Sequence, residues 1–495
     1  MENKKMKIIS IASIIALALT LVTATYAYFA AQTGEGKSTD IKINANTVDT
    51  FTFEAGSALN LSLNQENFAS GAGNQTGTTY AKAMLTANNK TNTATEHYYM
   101  YLNISNNTFT YSIDNNTPEI LLSIKDGSNN EITTLTGLTY KTVTDGKGAS
   151  IKGFDITTKS GLITILNNRE ITTTSTKTEQ WNITITFVNY NANQVANSGK
   201  SFSSKVMIQK EKIPTVLSDV CTSRNNLAAC ITTLSNKSEP SIVNIYHHTS
   251  SLANGAGDNS YRYAGASDSV NNYICLGSDE ATCPDANLFR IIGVFGDKTK
   301  VIRAKSVGFQ YWNTYVDSST TNTWSTSSLN TYLNGEYLTS LGTLAEKIAT
   351  TTWKVGGGSW SNIVTSVPKT AYQNEVGSSA SSTTVDKKIG LMYVTDYYYS
   401  ASPSAWTLVG YNSSDATKDY RAAKTINWLY LGSNEWTISR NSDKSNYAFY
   451  VTDAGSVINN GVYYNSYAVR PSFNLESSVK YVSGSGSMSD PVRVN

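Results

Sequence analysis

The chain has 495 residues, and its 39 Lys and Arg against 37 Asp and Glu give a formal net charge of +2. This near-neutral balance argues against nucleic acid as a partner, because phosphate binding needs a clustered basic face. Only 15% of the residues are charged, against roughly 25% in ordinary soluble domains, and three histidines leave few groups for general-base or metal chemistry. Abundant Tyr, Thr, Asn and Ser instead favour strands and turns, which predicts a surface β-protein.

Residues 1–31 have the pattern of an export signal. Three lysines within the first seven residues precede the apolar residues 8–22, and small residues around Ala27 permit cleavage after it. The alternative is an uncleaved anchor helix, since residues 8–31 carry no charge and a bilayer span needs about 20 residues. Both alternatives place the rest of the chain outside the cell or at its surface, with membrane contact only through this segment.

Residues 41–212 predict an antiparallel β-sandwich of the jelly-roll or immunoglobulin type. Turn-forming clusters of Gly, Asn and Asp separate short segments in which apolar and polar residues alternate. The alternation puts one apolar face inside, and it is clearest at Tyr98, Met100, Leu102 and Ile104, and at Trp181, Ile183, Ile185 and Phe187.

Residues 213–270 are predicted to be a connector. Pro214 cannot donate to a sheet ladder, so it closes the sandwich. A short helix is expected within residues 221–234, with Asn225 or Asn226 near its start.

The four cysteines indicate disulfides in an exported chain. Cys221 and Cys230 are nine positions apart, and Cys275 and Cys283 are eight apart. Four cysteines allow three connectivities, and we expect two local pairs because each pair lies in a turn-rich segment. The alternative is four free thiols. Neither spacing is the CxxC of zinc or redox sites.

Residues 271–495 show an α+β pattern. Apolar segments at 288–295 and 300–304 flank Gly296-Asp297, which predicts a hairpin. Ser327 or Ser328 is expected to cap a helix. A second helical stretch is expected at 344–349 and further strands at 389–393, 435–439 and 467–475.

The sequence offers little catalytic chemistry. It has no HExxH helix, phosphate-binding loop, GxSxG elbow or EF-hand loop. His247 and His248 are adjacent, and neighbours on a strand point to opposite faces, so they cannot readily bind one metal ion. We therefore predict no catalytic residue, no metal and no cofactor.

Aromatic residues crowd the last part of the chain. With Ser, Asn and Gly around them they resemble the composition of antibody binding loops, while several rings, notably Trp406, Trp428 and Trp436, are expected in the core. The candidate ligand-binding residues are Ser445, Asn446, Tyr447, Phe449, Tyr450, Asn459, Asn460, Tyr463, Tyr464, Asn465 and Tyr467.

The residues after the apolar segment resemble an exported protein family. Residues 23–29, Thr-Ala-Thr-Tyr-Ala-Tyr-Phe, are similar to the export signal of the camelysin and biofilm-matrix-fibre proteins of Gram-positive bacteria. The resemblance implies a dedicated signal peptidase and a jelly-roll-like sandwich in residues 41–212. Some members are classed as metalloproteases, but this chain has no zinc motif, so that activity is not expected.

Five segments of the C-terminal part, at 271–277, 288–294, 434–440, 467–475 and 481–486, resemble a surface-domain family of uncharacterised function in Bacillota. Glu-Trp-Thr at 435–437 and Val-Arg-Pro at 469–471 are also similar to the C-type-lectin-like fold of formylglycine-generating enzymes and of retroelement-diversified variable proteins. The resemblance implies that Trp436 anchors a small core and that Arg470 ties loop carbonyls or carboxylates. No cysteine follows Cys283, and the calcium motifs of sugar-binding lectins are absent, so copper and calcium chemistry are not expected.

These observations favour an exported bacterial adhesin. Its C-type-lectin-like domain would present a Tyr/Asn/Ser-rich face to an unknown protein or glycan on another cell or on a host. The residue types at 445–468 are all accessible from mutable Asn codons, so residues 440–470 are a candidate window for retroelement diversification. The alternative is a structural envelope or fibre subunit that assembles through the sandwich. A glycan hydrolase is a third class, which no motif supports.

Overall fold

The chain divides into two compact units, Met1–Lys212 and Ile213–Asn495. The predicted signal or anchor segment, residues 1–31, lies outside the described residues. Within the part of the chain that is described, no helix is long and apolar enough to cross a membrane. The computed structural model describes residues 49–68, 71–88, 92–317 and 320–495.

The described part of the first unit contains ten strands in two antiparallel sheets. One sheet has the order β1-β3-β9-β5-β7-β6 and the other the order β2-β10-β4-β8. The strands are β1 (Thr50–Ala55), β2 (Leu59–Ser62), β3 (Gln75–Thr86), β4 (Ala94–Asn107), β5 (Ile120–Asp126), β6 (Tyr140–Thr144), β7 (Ser150–Asp155), β8 (Gly161–Thr173), β9 (Thr176–Phe187) and β10 (Ser201–Gln209).

Side chains from both sheets form one hydrophobic core between them. In β9, Trp181, Ile183, Ile185 and Phe187 are buried, while the residues between them remain at least partly exposed. Period-two alternation therefore places one face of the strand inside, and each fully buried large apolar side chain contributes about 1.5–3 kcal/mol. The β-rich, sandwich-like class predicted for this part of the chain is confirmed.

The second unit combines sheets with short helices. A nine-stranded sheet has the path β19-β24-β15-β14-β13-β26-β25, with β12 added to β14 and β11 to β12. A five-stranded sheet has the order β16-β23-β20-β21-β22, and β17 pairs with β18. The strands are β11 (Ile245–His247), β12 (Tyr261–Tyr263), β13 (Tyr273–Cys275), β14 (Leu288–Phe295), β15 (Lys298–Arg303), β16 (Phe309–Gln310), β17 (Thr351–Lys354), β18 (Thr384–Lys387), β19 (Ile389–Gly390), β20 (Glu435–Arg440), β21 (Tyr447–Val451), β22 (Val457–Gly461), β23 (Tyr467–Ala468), β24 (Ser472–Leu475), β25 (Tyr481–Ser483) and β26 (Val492–Val494).

Short helices cover these sheets, which gives the second unit the α+β character expected from its sequence. A π-helical turn, Leu333–Tyr337, joins α3 to α4. The helices are α1 (Leu227–Lys237), α2 (Pro240–Val243), α3 (Ser328–Tyr332), α4 (Leu338–Ser340), α5 (Trp360–Ile363), α6 (Pro368–Glu375) and α7 (Val394–Ser400).

Local signals in the second unit have the expected physical basis. The predicted hairpin is present: β14 and β15 pair antiparallel around Gly296, whose φ of 64° suits a tight turn. Ser327 caps α3, because its side-chain oxygen accepts the Asn330 backbone N–H at 3.2 Å. The expected strand at 467–475 is interrupted between β23 and β24, where Pro471 has no N–H to donate.

Two other expectations differ from the structure in extent. The helical stretch expected at 344–349 is a 3₁₀ segment, Gly342–Lys347. The strand expected at 389–393 is β19, which has only two residues.

Residues 213–270, expected as a connector, are part of the second unit. Strands β11 and β12 extend its nine-stranded sheet. The helix expected within residues 221–234 begins at Leu227, after Asn226, and ends at Lys237. It forms because its apolar stripe packs into the core of the unit, through Leu227, Cys230, Ile231 and Leu234.

Two disulfides join neighbouring cysteines, as the spacing predicts. Cys221 is bonded to Cys230 in α1, and Cys275 at the end of β13 is bonded to Cys283. The described residues contain no free cysteine. Such bonds form and persist in oxidising compartments outside the cytosol, which indicates an extracellular environment.

Candidate functional site

The five-stranded sheet of the second unit carries the candidate binding residues. Strands β21 and β22 form a hairpin in which Tyr447 is opposite Gly461. The segment that follows β16 lies beside the loop after β22, because the Asn313 backbone N–H donates to the Val462 carbonyl at 3.1 Å. Phe309 in β16 pairs with Ala468 in β23. Residues 309–316 and 462–468 are therefore neighbours.

Four tyrosines from these segments form a continuous chain of ring contacts. The ring centroids of Tyr315 and Tyr463 are 5.0 Å apart, those of Tyr463 and Tyr464 are 4.7 Å apart, and those of Tyr464 and Tyr447 are 6.5 Å apart. The contacts are tilted or edge-to-face, the arrangement that aromatic quadrupoles prefer. The rings therefore hold one another in place without being buried.

Polar groups lie within reach of these rings. The Asn446 side-chain amide donates to the Tyr463 hydroxyl at 3.2 Å, and the Lys444 ammonium lies 4.4 Å from the centre of the Tyr447 ring. A hydrogen bond with Tyr463 raises the pKa of the Tyr464 hydroxyl. The surface thus offers apolar ring faces beside hydroxyl and amide groups.

Large apolar side chains around residues 309–316 and 464 are unusually exposed among the described residues. Ten large apolar side chains there are strongly exposed, and five of them lie here: Phe309 at 62%, Tyr311 at 43%, Tyr315 at 56%, Val316 at 80% and Tyr464 at 55%. Apolar side chains gathered at one place on a surface mark interaction sites. We call the set that comprises these five residues with Tyr447 and Tyr463 the aromatic face.

A buried aromatic layer lies beneath part of the sheet. The Trp436 ring is 4.6 Å from the Tyr467 ring, which is 4.4 Å from the Tyr450 ring. Trp436, expected to anchor the core, is fully buried, and its indole N–H donates to the Gln310 carbonyl at 3.0 Å. Burial raises the pKa of the Tyr450 hydroxyl. This layer supports the sheet that carries the aromatic face.

The structure corrects three of the candidate ligand-binding residues. Phe449 is completely buried, and Tyr450 and Tyr467 are only 7% and 8% exposed. Adjacent residues on a strand point to opposite faces, so Phe449 enters the core while Tyr450 packs in the aromatic layer. None of the three is a surface contact residue.

The remaining candidates lie at or near the surface. Ser445, Tyr464 and Asn465 are exposed, and Asn446, Tyr447 and Tyr463 are half-buried. Asn459 and Asn460 are half-buried on β22, where the Asn460 amide donates to the Tyr467 hydroxyl at 2.8 Å. Asn460 therefore supports the buried layer rather than an open surface.

Arg470 forms a buried ion pair with Glu435. Its Nε and Nη2 atoms donate to the two carboxylate oxygens of Glu435 at 2.7 and 2.8 Å, and Nη2 also donates to the Leu429 carbonyl at 2.6 Å. Both side chains are at least 97% buried. Burial raises the pKa of Glu435 and the Arg470 charge opposes that shift. The pair ties the start of β20 to the segment between β23 and β24.

The histidines are separated by the strand geometry. The His247 ring stacks on Tyr261 at 4.0 Å, whereas His248 is fully buried and its Nδ1 accepts the Ala256 backbone N–H at 3.0 Å. Burial lowers the pKa of His248 to about 2, so the ring is neutral. The described ranges contain no group of three or more His, Cys, Asp or Glu residues that could hold a metal ion.

Sequence reasoning missed Phe309, Tyr311, Tyr315 and Val316. They follow Gly308 in a short segment where exposed rings flank the buried Trp312. The available signal was the density of aromatic residues between 309 and 315. Their proximity to residues 462–468 is set by strand pairing across more than 150 positions, which the sequence pattern does not show.

Comparison with protein families finds one match. Residues 297–477 match a family described as a domain of unknown function (DUF6273). The match includes all of the aromatic face, the Arg470–Glu435 pair and most of the second unit. Neither the curated proteins nor the solved structures provide a match to the chain.

Proposed function

We propose that the protein is an extracellular binding protein and that the aromatic face of its second unit is the ligand-contacting surface. The observation that carries the proposal is the concentration of exposed aromatic side chains at this face, where four tyrosine rings contact one another beside hydroxyl and amide groups. Tyr provides a large rigid contact area at low entropic cost, and clustered tyrosines are typical of recognition surfaces.

The ligand class follows from the chemistry of the face. Among the described residues, the only cation in contact with a ring of this face is Lys444 over Tyr447, so recognition would rest mainly on apolar area and on neutral hydrogen bonds. Flat sugar faces and apolar protein side chains both suit such a surface. The proposed ligand is therefore a glycan or a protein on another cell or on a host, with no cofactor required.

The finer assignments from sequence accompany this proposal. The export signal, the jelly-roll relationship of the first unit and the C-type-lectin-like fold of the second would make the protein a cell-surface adhesin with a stalk and a binding domain. The disulfides support the extracellular part of this assignment. Active diversification of residues 440–470 would act on Ser445, Asn446, Tyr463, Tyr464 and Asn465, which line or border the aromatic face.

A binding measurement tests the proposal with a matched control. Fluorescently labelled full-length protein is applied to intact bacterial cells, to cultured host cells and to an array of glycans. The test variant carries Phe309→Ser, Tyr315→Ser and Tyr464→Ser, and the control carries Val482→Ser and Met488→Ser, which remove exposed apolar side chains elsewhere in the same unit.

We expect the test variant to lose binding and the control to retain it. A contact residue at the centre of an interface contributes about 2 kcal/mol, or roughly 30-fold in affinity. Equal binding by both variants, or no binding by the unaltered protein to any of the probes, would contradict the proposal.

A second candidate function rests on the first unit. Strand β8 lies at the end of the four-stranded sheet, and its only strand partner among the described residues is β4. A groove of about 610 Å³ runs beside it, lined in part by Leu135, Leu138, Leu162 and Thr164. An open strand edge beside a groove that leucine side chains line in part can accept a strand from another chain. This favours a fibre subunit as the alternative.

Filament formation by the mature protein tests the alternative. Electron microscopy over a range of concentrations should show filaments for the unaltered protein and none for Thr164→Lys, because a charge on the edge opposes strand pairing. A monodisperse monomer at all concentrations would remove the fibre hypothesis and leave the adhesin.

A further inference from the structure

A lysine and an aspartate meet inside the second unit, away from the aromatic face. Lys300 is on β15 and Asp396 is in the first turn of α7, 96 positions later. The Lys300 Nζ lies 2.5 Å from the Asp396 Oδ2. The two side chains are only 6% and 2% exposed. An amine and a carboxyl group are thus held together where little water reaches them.

Aromatic rings surround the Lys300 ammonium. Its Nζ lies 4.6 Å from the centre of the Tyr393 ring, 5.3 Å from that of Trp353 and 5.6 Å from that of Phe295. Burial lowers the pKa of Lys300, while the Asp396 charge opposes that shift. A low-dielectric environment favours the neutral form of an amine, which is its nucleophilic form.

Each of the two carboxylate oxygens of Asp396 has a further polar partner. Oδ2 also accepts the Tyr393 backbone N–H at 2.8 Å. Oδ1 lies 3.6 Å from Nη1 of Arg262, whose Nη2 is held by Asp258 at 2.6 Å. The buried Glu375 accepts the Thr395 backbone N–H at 2.9 Å and so positions the start of α7.

We propose that Lys300 and Asp396 condense to an intramolecular isopeptide bond, a covalent modification that the protein makes from its own side chains. The arrangement supplies the elements that amide formation needs: a buried nucleophile in contact with its carboxyl target, and a cation beside the oxygen where charge develops.

The reaction balances without any added reagent. A proton first passes from the ammonium to the carboxylate across their hydrogen bond. The Nζ lone pair then adds to Cγ of Asp396, and the charge on Oδ1 faces the Arg262 guanidinium. The Cγ–Oδ2 bond breaks, and this oxygen leaves as water with two of the three ammonium protons, while the third stays on the amide nitrogen. An adjoining cavity of about 200 Å³ can receive the water.

A second pair in the same unit separates the effect of burial from that of distance. The Lys305 Nζ is also 2.5 Å from an aspartate oxygen, that of Asp285, but these side chains are 61% and 63% exposed. Water solvates both groups there, so this pair lacks the low-dielectric environment that the proposed condensation uses. We expect no covalent bond at this exposed pair.

Intact-mass spectrometry of the full chain tests the proposal. After reduction of the disulfides, the protein should be lighter than its sequence mass by one water molecule. Digestion should then yield a branched peptide that joins the segment containing Lys300 to the segment containing Asp396. The Asp285→Ala variant should keep the mass deficit, and the Asp396→Ala variant should lose it.

Peptide mapping of the unaltered protein decides the result even where a variant fails to fold. Loss of water at Asp126-Gly127 or Asp145-Gly146 through succinimide formation would give the same total mass. A deficit mapped to either of those sites, a bond at Lys305–Asp285, or a full sequence mass would overturn the proposal.

Discussion

Replacement of Arg470 by Met would expose the energetic role of a buried ion pair beside the aromatic layer. Arg470 makes two hydrogen bonds to Glu435, and both side chains are almost fully buried. Methionine has a similar length and fills most of the same volume, but it leaves the Glu435 carboxylate without a partner. The variant therefore removes the positive charge that compensates Glu435 while it keeps most of the packing around residue 470.

The expected cost is large at neutral pH. Removing one partner of a buried ion pair costs about 3–5 kcal/mol. Each kcal/mol shifts the unfolding midpoint of a unit of this size by about 2–4 °C, so we expect a decrease of about 10 °C. The Leu429 carbonyl also loses a donor, which places the value in the upper part of the range.

The cost should also depend on pH with a defined sign. Burial raises the pKa of Glu435, and in the variant no cation opposes that shift. A group whose pKa is raised in the folded state contributes stability below its unfolded pKa and loses it as the pH rises through the folded pKa. The variant should therefore be destabilised less at about pH 5 than at about pH 8.

Urea unfolding followed by tryptophan fluorescence provides the assay. Seven of the eight tryptophans belong to the second unit, so the signal reports on that unit. The double variant Arg470→Met/Glu435→Leu is the control, since an apolar pair should restore most of the loss. An Arg470→Met unfolding free energy within about 1 kcal/mol of the unaltered protein, or one without pH dependence, would refute the reasoning.

Three further predictions concern the core, one disulfide and the candidate diversification window. Phe449→Ala should lower the free energy of unfolding by about 3–5 kcal/mol, because it opens a cavity in the core. Tyr464→Ala should change this free energy by less than about 0.5 kcal/mol, because the side chain is exposed. Similar costs for the two variants in urea unfolding would contradict the burial argument. Replacing both Cys221 and Cys230 by Ala should lower the free energy of unfolding by about 2–3 kcal/mol. The same assay compares this variant with the protein that has both disulfides. An unchanged unfolding midpoint would show that this bond does not constrain the unfolded chain. Deep sequencing of codons 440–470 in a clonal population should show changes at adenines of Asn-type codons if the window is diversified, and codons 389–435 serve as the invariant control.

Short-range patterns predicted much of the fold because their physics is local. The alternation from Trp181 to Phe187 places one side of β9 in the core, and this needs only the two-residue period of a strand. The Gly296 turn and the Ser327 cap depend on backbone geometry within four residues. Signals of this kind are complete within a short stretch of sequence.

The errors came from contacts between distant segments. From sequence, residues 447–450 are predicted to form one exposed aromatic surface. In a strand, however, Phe449 and Tyr450 point to opposite faces. Which of these faces is buried depends on the layers that pack against the sheet. The pairing of residues 309–310 with 467–468 made Tyr315 part of the aromatic face. The juxtaposition of Lys300 with Asp396 likewise has no local signal.

The aromatic face is held in shape by groups that do not belong to it. The buried Asn322 donates its backbone N–H to the Ser445 carbonyl at 2.7 Å. Its side-chain amide lies within hydrogen-bond distance of three more carbonyls, at 2.9, 2.7 and 2.6 Å, those of Asn441, Lys444 and Tyr447. The backbone before β21 is therefore fixed from inside, independently of the side chains at Ser445 and Asn446.

This arrangement predicts which substitutions the exposed residues between 445 and 465 tolerate. Asn322→Leu keeps a similar volume but leaves buried carbonyls without donors, so it should lower the free energy of unfolding by about 2–3 kcal/mol and weaken ligand binding without touching the ligand. Ser445→Ala, Asn446→Ala and Asn465→Ala, combined in one variant, should leave the unfolding free energy nearly unchanged, because no core contact depends on them. If the combined variant unfolded as readily as Asn322→Leu, these three side chains would be structural, and Asn322 would not fix the backbone before β21 independently of them.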